Sequence, residues 1–274
     1  MLVGNEVLEL SEYRVYDIHL RKYKNKNMIV PLYSPINLSN LTVDFIIGSL
    51  RMEPIAFIGV KRPHPLVYSE GGKTIHPYTI YFSPQNSLLA LKVVGEFSFK
   101  ESLEEFPKIA DALLEWAEIN EVRKVIAVDY VPPIDDAKRV FFVTEDYLVS
   151  ELIELGLKPY SGIFGSEAAY LLDECMRRRI DGILLMVESE AYKVLGGLIE
   201  RIATRTVDRE TVRRVLTSLR FDAGAVSRAL DAIARITGVT FNLAELERLS
   251  QSFEEACKKS LELLARSRRI GAFM

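Results

Sequence analysis

The chain has few of the residues on which redox and metal chemistry depend. Its 274 residues include 2 cysteines and 3 histidines. Cys175 and Cys257 are too few, and too apolar in their surroundings, for a disulfide framework or a metal site. No histidine has a second ligand at metal-binding spacing. We therefore expect no metal and no cofactor, and the scarcity of cysteine indicates a reducing, cytoplasmic setting.

Two further absences bear on partners. The sequence has no apolar run near the ~18–20 residues needed to span a bilayer, and it opens without the basic and then apolar pattern of a signal peptide. Its 35 basic and 38 acidic residues give a net charge of −3, whereas a dedicated nucleic-acid binder usually shows a strong basic excess. The sequence predicts neither a membrane partner nor a nucleic-acid partner.

What the chain does contain is typical of a folded α/β protein. Hydrophobic residues make up 49% and charged residues 27%, which is enough apolar material for a sizeable core. Apolar periodicity predicts helices beginning after Asn37 or Ser39 and over about 102–119, 146–155 and 166–179, with strands at 13–20, 28–32, 55–60, 78–82, 88–94, 124–129, 140–143 and 183–187. Strands that alternate with helices of ten residues or more predict βαβ crossovers and a sheet covered on both faces.

The last third of the sequence is different, because no strand pattern follows Glu188. Helices are predicted to begin near Asp208, Asp222 and Asn242, and the last of them carries Cys257 on its apolar face. We predict an α/β domain over residues 1–188 and a helical extension over residues 189–274, packed together as one folding unit. The proline-containing stretch 61–78 is expected to be a long loop with at most short strands.

Two sets of residues at predicted strand and helix ends are candidates for chemistry. Glycines at Gly162 and Gly165 open a helix, where main-chain N–H groups can cradle a phosphate, but Glu167 places a negative charge there and the lysine of a P-loop is missing. A structural loop-to-helix turn with close helix-on-sheet packing is the alternative. The second set consists of carboxylates at or after strand ends, which suit acid/base or magnesium chemistry or serve only as helix caps: Asp129, Asp135, Asp136, Glu188 and Glu190.

The histidines, cysteines and C-terminus give weaker signals. His64 and His76 share the loop 61–78 and are either able to meet or simply near water, while His19 stands alone. Neither cysteine lies at a strand end, where a nucleophile is usually displayed, so both are expected to be core residues. Gly271 should end the last helix, which leaves Ala272-Phe273-Met274 either as a frayed end or as an aromatic group beside a free carboxylate that suits peptide docking.

Three segments, in order, resemble the proteasome assembly chaperone family of the second-subunit type. Residues 31–58 contain the family's turn, helix and strand, with Asn37 and Asp44 matching its asparagine and its helical aspartate. The resemblance makes these two residues candidates for a ligand site or for a structural turn. Residues 160–188 resemble its glycine-opened helix, basic turn and strand ending in Glu188. A third match begins at Asp222-Ala223-Gly224-Ala225 and continues through a glycine into the last helix.

The resemblance implies a three-layer α/β/α sandwich of the phosphorylase/hydrolase-like type, self-association into a homo-oligomer, and a non-enzymatic role in binding proteasome α subunits or the core particle. Family members that dock on the ring often end in a hydrophobic residue, tyrosine and any residue. Here Phe273 keeps the ring without the hydroxyl, so Ala272, Phe273 and Met274 become the predicted partner-binding residues.

Two other functions stay open at this stage. Because one fold hosts many activities, the chain is also compatible with a small-molecule or nucleotide-binding enzyme whose phosphate or metal site uses Gly162, Gly165, Asp129 and Glu188. It is also compatible with a scaffold for another partner that would use the loop 61–78 and the C-terminal helix.

Overall fold

A computed structural model of the chain describes residues 13–18, 22–33, 36–60, 68–70, 72–94, 99–135, 138–204, 207–219, 222–244, 246 and 259. Within these ranges, nine strands form one mixed sheet and two more form a separate hairpin. The strands are β1 (Tyr13–Asp17), β2 (Asn27–Pro31), β3 (Glu53–Val60), β4 (Tyr68–Glu70), β5 (Lys73–Ile75), β6 (Tyr78–Ser83), β7 (Leu88–Val93), β8 (Lys124–Val131), β9 (Val140–Thr144), β10 (Lys158–Pro159) and β11 (Asp181–Glu188).

The order of the nine strands is β1-β3-β6-β7-β2-β8-β11-β9-β10. Its centre, β7-β2-β8-β11, is parallel, with Asn27 of β2 paired to both Leu88 of β7 and Lys124 of β8. On one side of this centre β7, β6, β3 and β1 pair antiparallel, and on the other side β9 runs antiparallel to β11. The carboxyl ends of β2, β8 and β11 therefore meet at one edge, which is where open α/β sheets bind ligands.

Helices cover both faces of the sheet. They are α1 (Leu38–Ser49), α2 (Phe99–Ile119), α3 (Asp146–Glu154), α4 (Ser166–Arg178), α5 (Glu190–Ala203), α6 (Arg209–Ser218) and α7 (Ala223–Thr237). Buried residues of α2 and α4 form one hydrophobic cluster with the sheet, and buried residues of α1, α3, α5, α6 and α7 form the other. We call these the α4 face and the α7 face. The layers confirm the predicted α/β/α sandwich.

Strand β8 shows how the sequence produces two buried faces. Its residues Val125 to Val128 are all buried, and successive side chains of a strand point to opposite faces. Ile126 and Val128 accordingly pack on the α7 face, while Val125 and Ala127 pack on the α4 face. A continuous apolar run is typical of a central strand covered on both sides.

The helices after Glu188 share the α7-face cluster with the sheet. Val194 and Leu198 of α5 and Leu230 and Ile233 of α7 are buried in it. No strand follows Glu188 among the described residues, as predicted, and the stretch 61–78 contains the short strands β4 and β5. The division at residue 188 stays a prediction. Most of the helix predicted from Asn242, with Cys257, lies outside the described residues.

Candidate functional site

Two carboxylates and one main-chain amide meet at the carboxyl edge of the parallel strands, on the α4 face. Asp129 lies near the end of β8, Tyr33 lies two residues beyond β2, and Glu167 lies in the first turn of α4. The Tyr33 N–H donates a hydrogen bond of 2.6 Å to the Glu167 carboxylate. Glu167 is only 5% exposed. We call Asp129, Glu167 and the Tyr33 amide the acidic crevice.

Local sequence explains how each group reaches the acidic crevice. Gly165, in extended backbone, caps the start of α4 and leaves Glu167 within its first turn, where the positive end of the helix dipole favours a carboxylate. The Asp129 carboxylate accepts a 2.7 Å hydrogen bond from the main-chain N–H of Tyr130. The parallel pairing of β2 with β8 brings Pro31 beside Val128, so that the chain beyond β2 passes the end of β8.

Burial makes both carboxylates of the crevice hold their protons more tightly. It raises the pKa of Glu167 from 4.5 to about 7, with a further increase from the nearby charge of Asp129, against a decrease from the Tyr33 hydrogen bond. Burial likewise raises the pKa of Asp129 from 3.8 to about 6. Carboxylates that titrate near neutral pH are suited to general acid or base catalysis. They also occur in proteins without catalytic activity.

The acidic crevice does not include an activated nucleophile among the described residues. Cys175 of α4 is fully buried, and burial raises the pKa of its thiol to about 12, so the thiol stays protonated at neutral pH. Its Cβ lies 2.9 Å from the point where a side chain on Gly182 would begin. Cys175 is therefore the core residue that its position in the sequence predicts, and it lets α4 lie close to β11.

The α7 face carries a different set of buried polar groups, which we call the buried polar network. The hydroxyl groups of Thr42 and Tyr130 lie 2.5 Å apart. The Ser189 hydroxyl donates to Asp222 at 2.6 Å, and the other oxygen of Asp222 accepts from the Ala225 N–H at 2.9 Å. Asp222 thereby caps α7 and ties it to the end of β11. These groups bond to one another, which is how buried polar groups stabilise a fold.

The structure places the predicted residue Asn37 directly before α1 and Asp44 within that helix. Asn37 precedes the helix in the left-handed conformation and accepts a hydrogen bond from the Asn40 side chain at 2.6 Å. Asp44 is exposed and forms an ion pair of 3.3 Å with Lys92 of β7. Both have local structural contacts, and whether either binds a ligand stays a prediction.

Gly162, Gly165 and Glu188 all lie at the carboxyl edge but have separate surroundings. A side chain on Gly165 would meet no atom within 4 Å, and one on Gly162 would first meet the Tyr160 side chain, at 2.6 Å. The close helix-on-sheet contact therefore lies at Gly182 and not at these two glycines. The Glu188 carboxylate is fully buried and accepts from the main-chain N–H groups of Ile134 at 2.8 Å and Arg139 at 2.5 Å. It fastens the loop that follows β8.

Several predicted residues fall outside the described ranges: Ala272, Phe273, Met274, His19 and His64. His76 is described, and its ring stacks on that of Phe57 with centroids 3.7 Å apart. In the part of the chain that the structure describes, no group of three or more His, Cys, Asp or Glu side chains is placed to hold a metal ion. Within the same ranges, no helix is long and apolar enough to cross a membrane.

Sequence reasoning considered Asp129 and Glu167 separately and missed Tyr33. Asp129 was a candidate because it ends a strand, and Glu167 entered only as a charge that disfavours a phosphate. Pairing of β2 with β8 brings Tyr33 to the end of β8, and packing of α4 against β11 and β8 brings Glu167 there; neither contact is encoded locally. Tyr33 contributes a main-chain N–H, for which no side-chain signal exists.

A three-layer α/β/α sandwich whose helical C-terminal part packs on the sheet defines the structural class of the protein. A model of the PAC2 family matches residues 28–261, and the chain belongs to the PAC2 family. This confirms the resemblance to proteasome assembly chaperones. A comparison with curated proteins found no match.

Solved structures agree with this assignment at the level of the fold. PbaA of Pyrococcus furiosus, an archaeal homologue of proteasome-assembly chaperone, is 16% identical with a TM-score of 0.65, covering 93% of this chain and 99% of its own. PbaB of the same organism, an archaeal proteasome activator, is 16% identical with a TM-score of 0.65 over 91% and 99%. A proteasome-assembly chaperone homologue of Mycobacterium tuberculosis is 14% identical with a TM-score of 0.54 over 85% and 94%.

Proposed function

We propose that this PAC2-family protein is a non-enzymatic, cytoplasmic chaperone-like protein that binds proteasome α subunits or the core particle as a homo-oligomer. The observation that carries the proposal is the family match over residues 28–261, with solved neighbours described as an assembly-chaperone homologue and a proteasome activator. The surroundings of two candidate catalytic residues support a non-enzymatic role. The Glu188 carboxylate already accepts hydrogen bonds from two main-chain N–H groups, and Cys175 is fully buried.

The proposed contact is the C-terminal segment Ala272-Phe273-Met274. Phe273 supplies an aromatic ring, which suits docking into a peptide-binding pocket. Self-association would present several copies of this segment at once. Because linked binding events act through effective concentration, several weak segments together can raise avidity by ~10²–10⁴.

The test is binding of the purified protein to a core particle from the same source, and to its separate α subunits, measured by interferometry. Removal of residues 272–274, or Phe273→Ala, is expected to weaken binding and to leave thermal unfolding unchanged. Ile163→Ser is the matched control, because Ile163 is a large apolar residue that is 98% exposed in the loop before α4. Equal binding by the truncated and intact proteins would show that the segment does not contribute to binding. Absence of binding to core and subunits alike would overturn the proposed function.

The acidic crevice gives one specific reason to keep an enzyme as the second candidate. Asp129 and Glu167 have pKa values raised to about 6 and about 7, which is a common property of catalytic carboxylates. A divalent cation bound there at 100 times its dissociation constant would stabilise the fold by ~2.7 kcal/mol. A thermal shift with magnesium or manganese that Asp129→Asn abolishes would favour the enzyme, and no shift would count against it.

A further inference from the structure

A pocket of about 190 Å³ lies between α7 and the sheet edge formed by β9 and β10. It is separate from the acidic crevice and opens on the α7 side of the molecule. Its charged lining residues are four cations and one carboxylate: Arg139, Lys158, Arg228, Arg235 and Asp231. We call these five residues and the space between them the basic pocket.

The arginines of the basic pocket are held by acceptors of the protein itself. Arg228 donates to the main-chain oxygen of Glu188 at 2.6 Å, and Arg235 forms an ion pair of 2.5 Å with Asp231. Arg139 pairs with Asp135, which lies outside the pocket. Because these side chains are already ordered, binding of a ligand would lose little of their conformational freedom.

Two neighbouring positions complete the pocket. Gly156 has a φ of +78°, and a side chain there would begin 3.2 Å from Nη1 of Arg235, so glycine at this turn leaves room for the guanidinium. Lys158 is exposed at the mouth. Among the described residues, no ion pair or hydrogen bond involves its ammonium group. Lys158 therefore adds an exposed cation, unpaired among the described residues, beside three arginines that have partners.

We propose that the basic pocket binds a phosphate-type anion. Guanidinium groups match the oxygens of phosphate in two-point contacts, and a lysine adds a point charge. At about 190 Å³, the pocket is much larger than the ~10–15 Å³ of cavity volume that a single water needs. Inorganic phosphate or pyrophosphate fits this space, whereas the base and ribose of a nucleotide would lie outside. The proposal is independent of proteasome binding.

The test is isothermal titration of the full-length protein with inorganic phosphate, pyrophosphate and a nucleoside triphosphate without divalent cations. Pyrophosphate is expected to bind, and more weakly as salt is raised, because screening weakens charge pairing. Equal affinity for pyrophosphate and the triphosphate assigns the site to the free anion, and tighter binding of the triphosphate assigns it to a nucleotide. Either result supports the proposal. No binding of any of the three at millimolar concentration overturns it.

Matched variants separate the pocket from general electrostatics. Lys158→Ala and Arg235→Ala should each weaken pyrophosphate binding by about tenfold, as loss of a charged hydrogen bond implies. Asp231→Asn should tighten it, since it removes the carboxylate of the pocket. The controls are Arg177→Ala and Asp173→Asn, because this pair on α4 is also an i,i+4 Asp–Arg ion pair, of 2.8 Å, outside the pocket. Equal effects in the control pair and the pocket pair would overturn the assignment.

Discussion

On the α7 face of the sheet the buried polar groups bond to one another, whereas on the α4 face the buried Glu167 lies close enough to the half-buried Asp129 for their charges to repel. Asp222 is 4% exposed and accepts hydrogen bonds from Ser189 and from the Ala225 N–H. Glu167 is 5% exposed, yet burial and the charge of Asp129 raise its pKa to about 7. Two carboxylates of nearly equal burial thus have different electrostatic surroundings.

The difference separates polar residues that stabilise the fold from carboxylates that destabilise it when they ionise. Satisfied buried polar groups favour one arrangement of the chain, and the buried polar network fixes α1 and α7 to the ends of β8 and β11. Buried charge instead destabilises the folded state whenever the group ionises. Titratable groups with shifted pKa values cluster at functional sites. The acidic crevice is therefore more typical of a ligand or partner site than the buried polar network is.

The largest expected effect comes from breaking the satisfied side. Asp222→Ala removes the cap of α7 and leaves the Ser189 hydroxyl without its acceptor. Loss of a cap costs ~0.5–2 kcal/mol and an unsatisfied buried hydroxyl ~1–3 kcal/mol, so we expect the free energy of unfolding to fall by roughly 2–4 kcal/mol. Chemical denaturation at pH 7 measures it.

Asp208 provides the control for that prediction. It precedes α6 and accepts hydrogen bonds from the main-chain N–H and the hydroxyl of Thr211 at 2.9 and 2.7 Å, but it is exposed. Water replaces those bonds when Asp208 is changed to alanine, so its loss should be much smaller. Similar losses for Asp208→Ala and Asp222→Ala would show that Asp222 acts as an ordinary cap and that its burial adds nothing.

The second prediction concerns the acidic crevice and the pH dependence of the free energy of unfolding. The folded-state pKa of Glu167 is raised from 4.5 to about 7. Its contribution to stability is therefore fully present below pH 4.5 and is lost as the pH rises through about 7, because the unfolded chain ionises first. Glu167→Gln removes this titration and keeps an oxygen for the Tyr33 N–H. It should flatten the decline by roughly 2–3 kcal/mol between pH 4.5 and 8.

Denaturant titrations at intervals between pH 4 and 8 would test the sign. Glu121→Gln is the contrasting control, because the ion pair of 2.7 Å with Lys24 lowers the pKa of Glu121. The small contribution of that exposed pair is present above the unfolded pKa and is lost as the pH falls. If the free energy of unfolding of wild type and of Glu167→Gln changes in parallel over this pH range, the pKa of Glu167 is not raised in the folded state.

Elements with strong local patterns were predictable from the sequence. The apolar run of β8, the amphipathic helices and the aspartate that caps α7 all depend on residues a few positions apart. The two-residue strand β10 was not predicted, because it is too short for a periodic pattern and depends on parallel pairing with β9. The insertion of β2 between β7 and β8 is likewise set by nonlocal pairing.

The candidate sites were predictable only in part, and for the same reason. Glu188 is recognisable as a carboxylate at a strand end, but its bonds to Ile134 and Arg139 depend on how the following loop folds back. Lys158 and Arg235 belong to different elements and line the same pocket only in the folded chain. Sequence patterns indicate which residue types end an element, whereas burial and opposing charges become visible only after the elements pack.

The smallest predicted effect comes from removing either partner of the Thr42–Tyr130 hydrogen bond in the buried polar network. The Thr42 hydroxyl donates to the Leu38 main-chain oxygen at 3.0 Å, so its single proton is used and Tyr130 must donate the 2.5 Å bond to Thr42. Thr42→Val then strands a buried donor, while Tyr130→Phe leaves only an acceptor with a spare lone pair.

We therefore expect Thr42→Val to lower the free energy of unfolding by roughly 1–2 kcal/mol and Tyr130→Phe by about 1 kcal/mol. The double variant should lose less than the sum, because neither partner is then left unpaired. A double-mutant cycle measures this coupling directly. Strict additivity would mean that the two hydroxyl groups do not depend on each other, and the contrast between a bonded α7 face and a strained α4 face would then be weaker at this point than the geometry indicates.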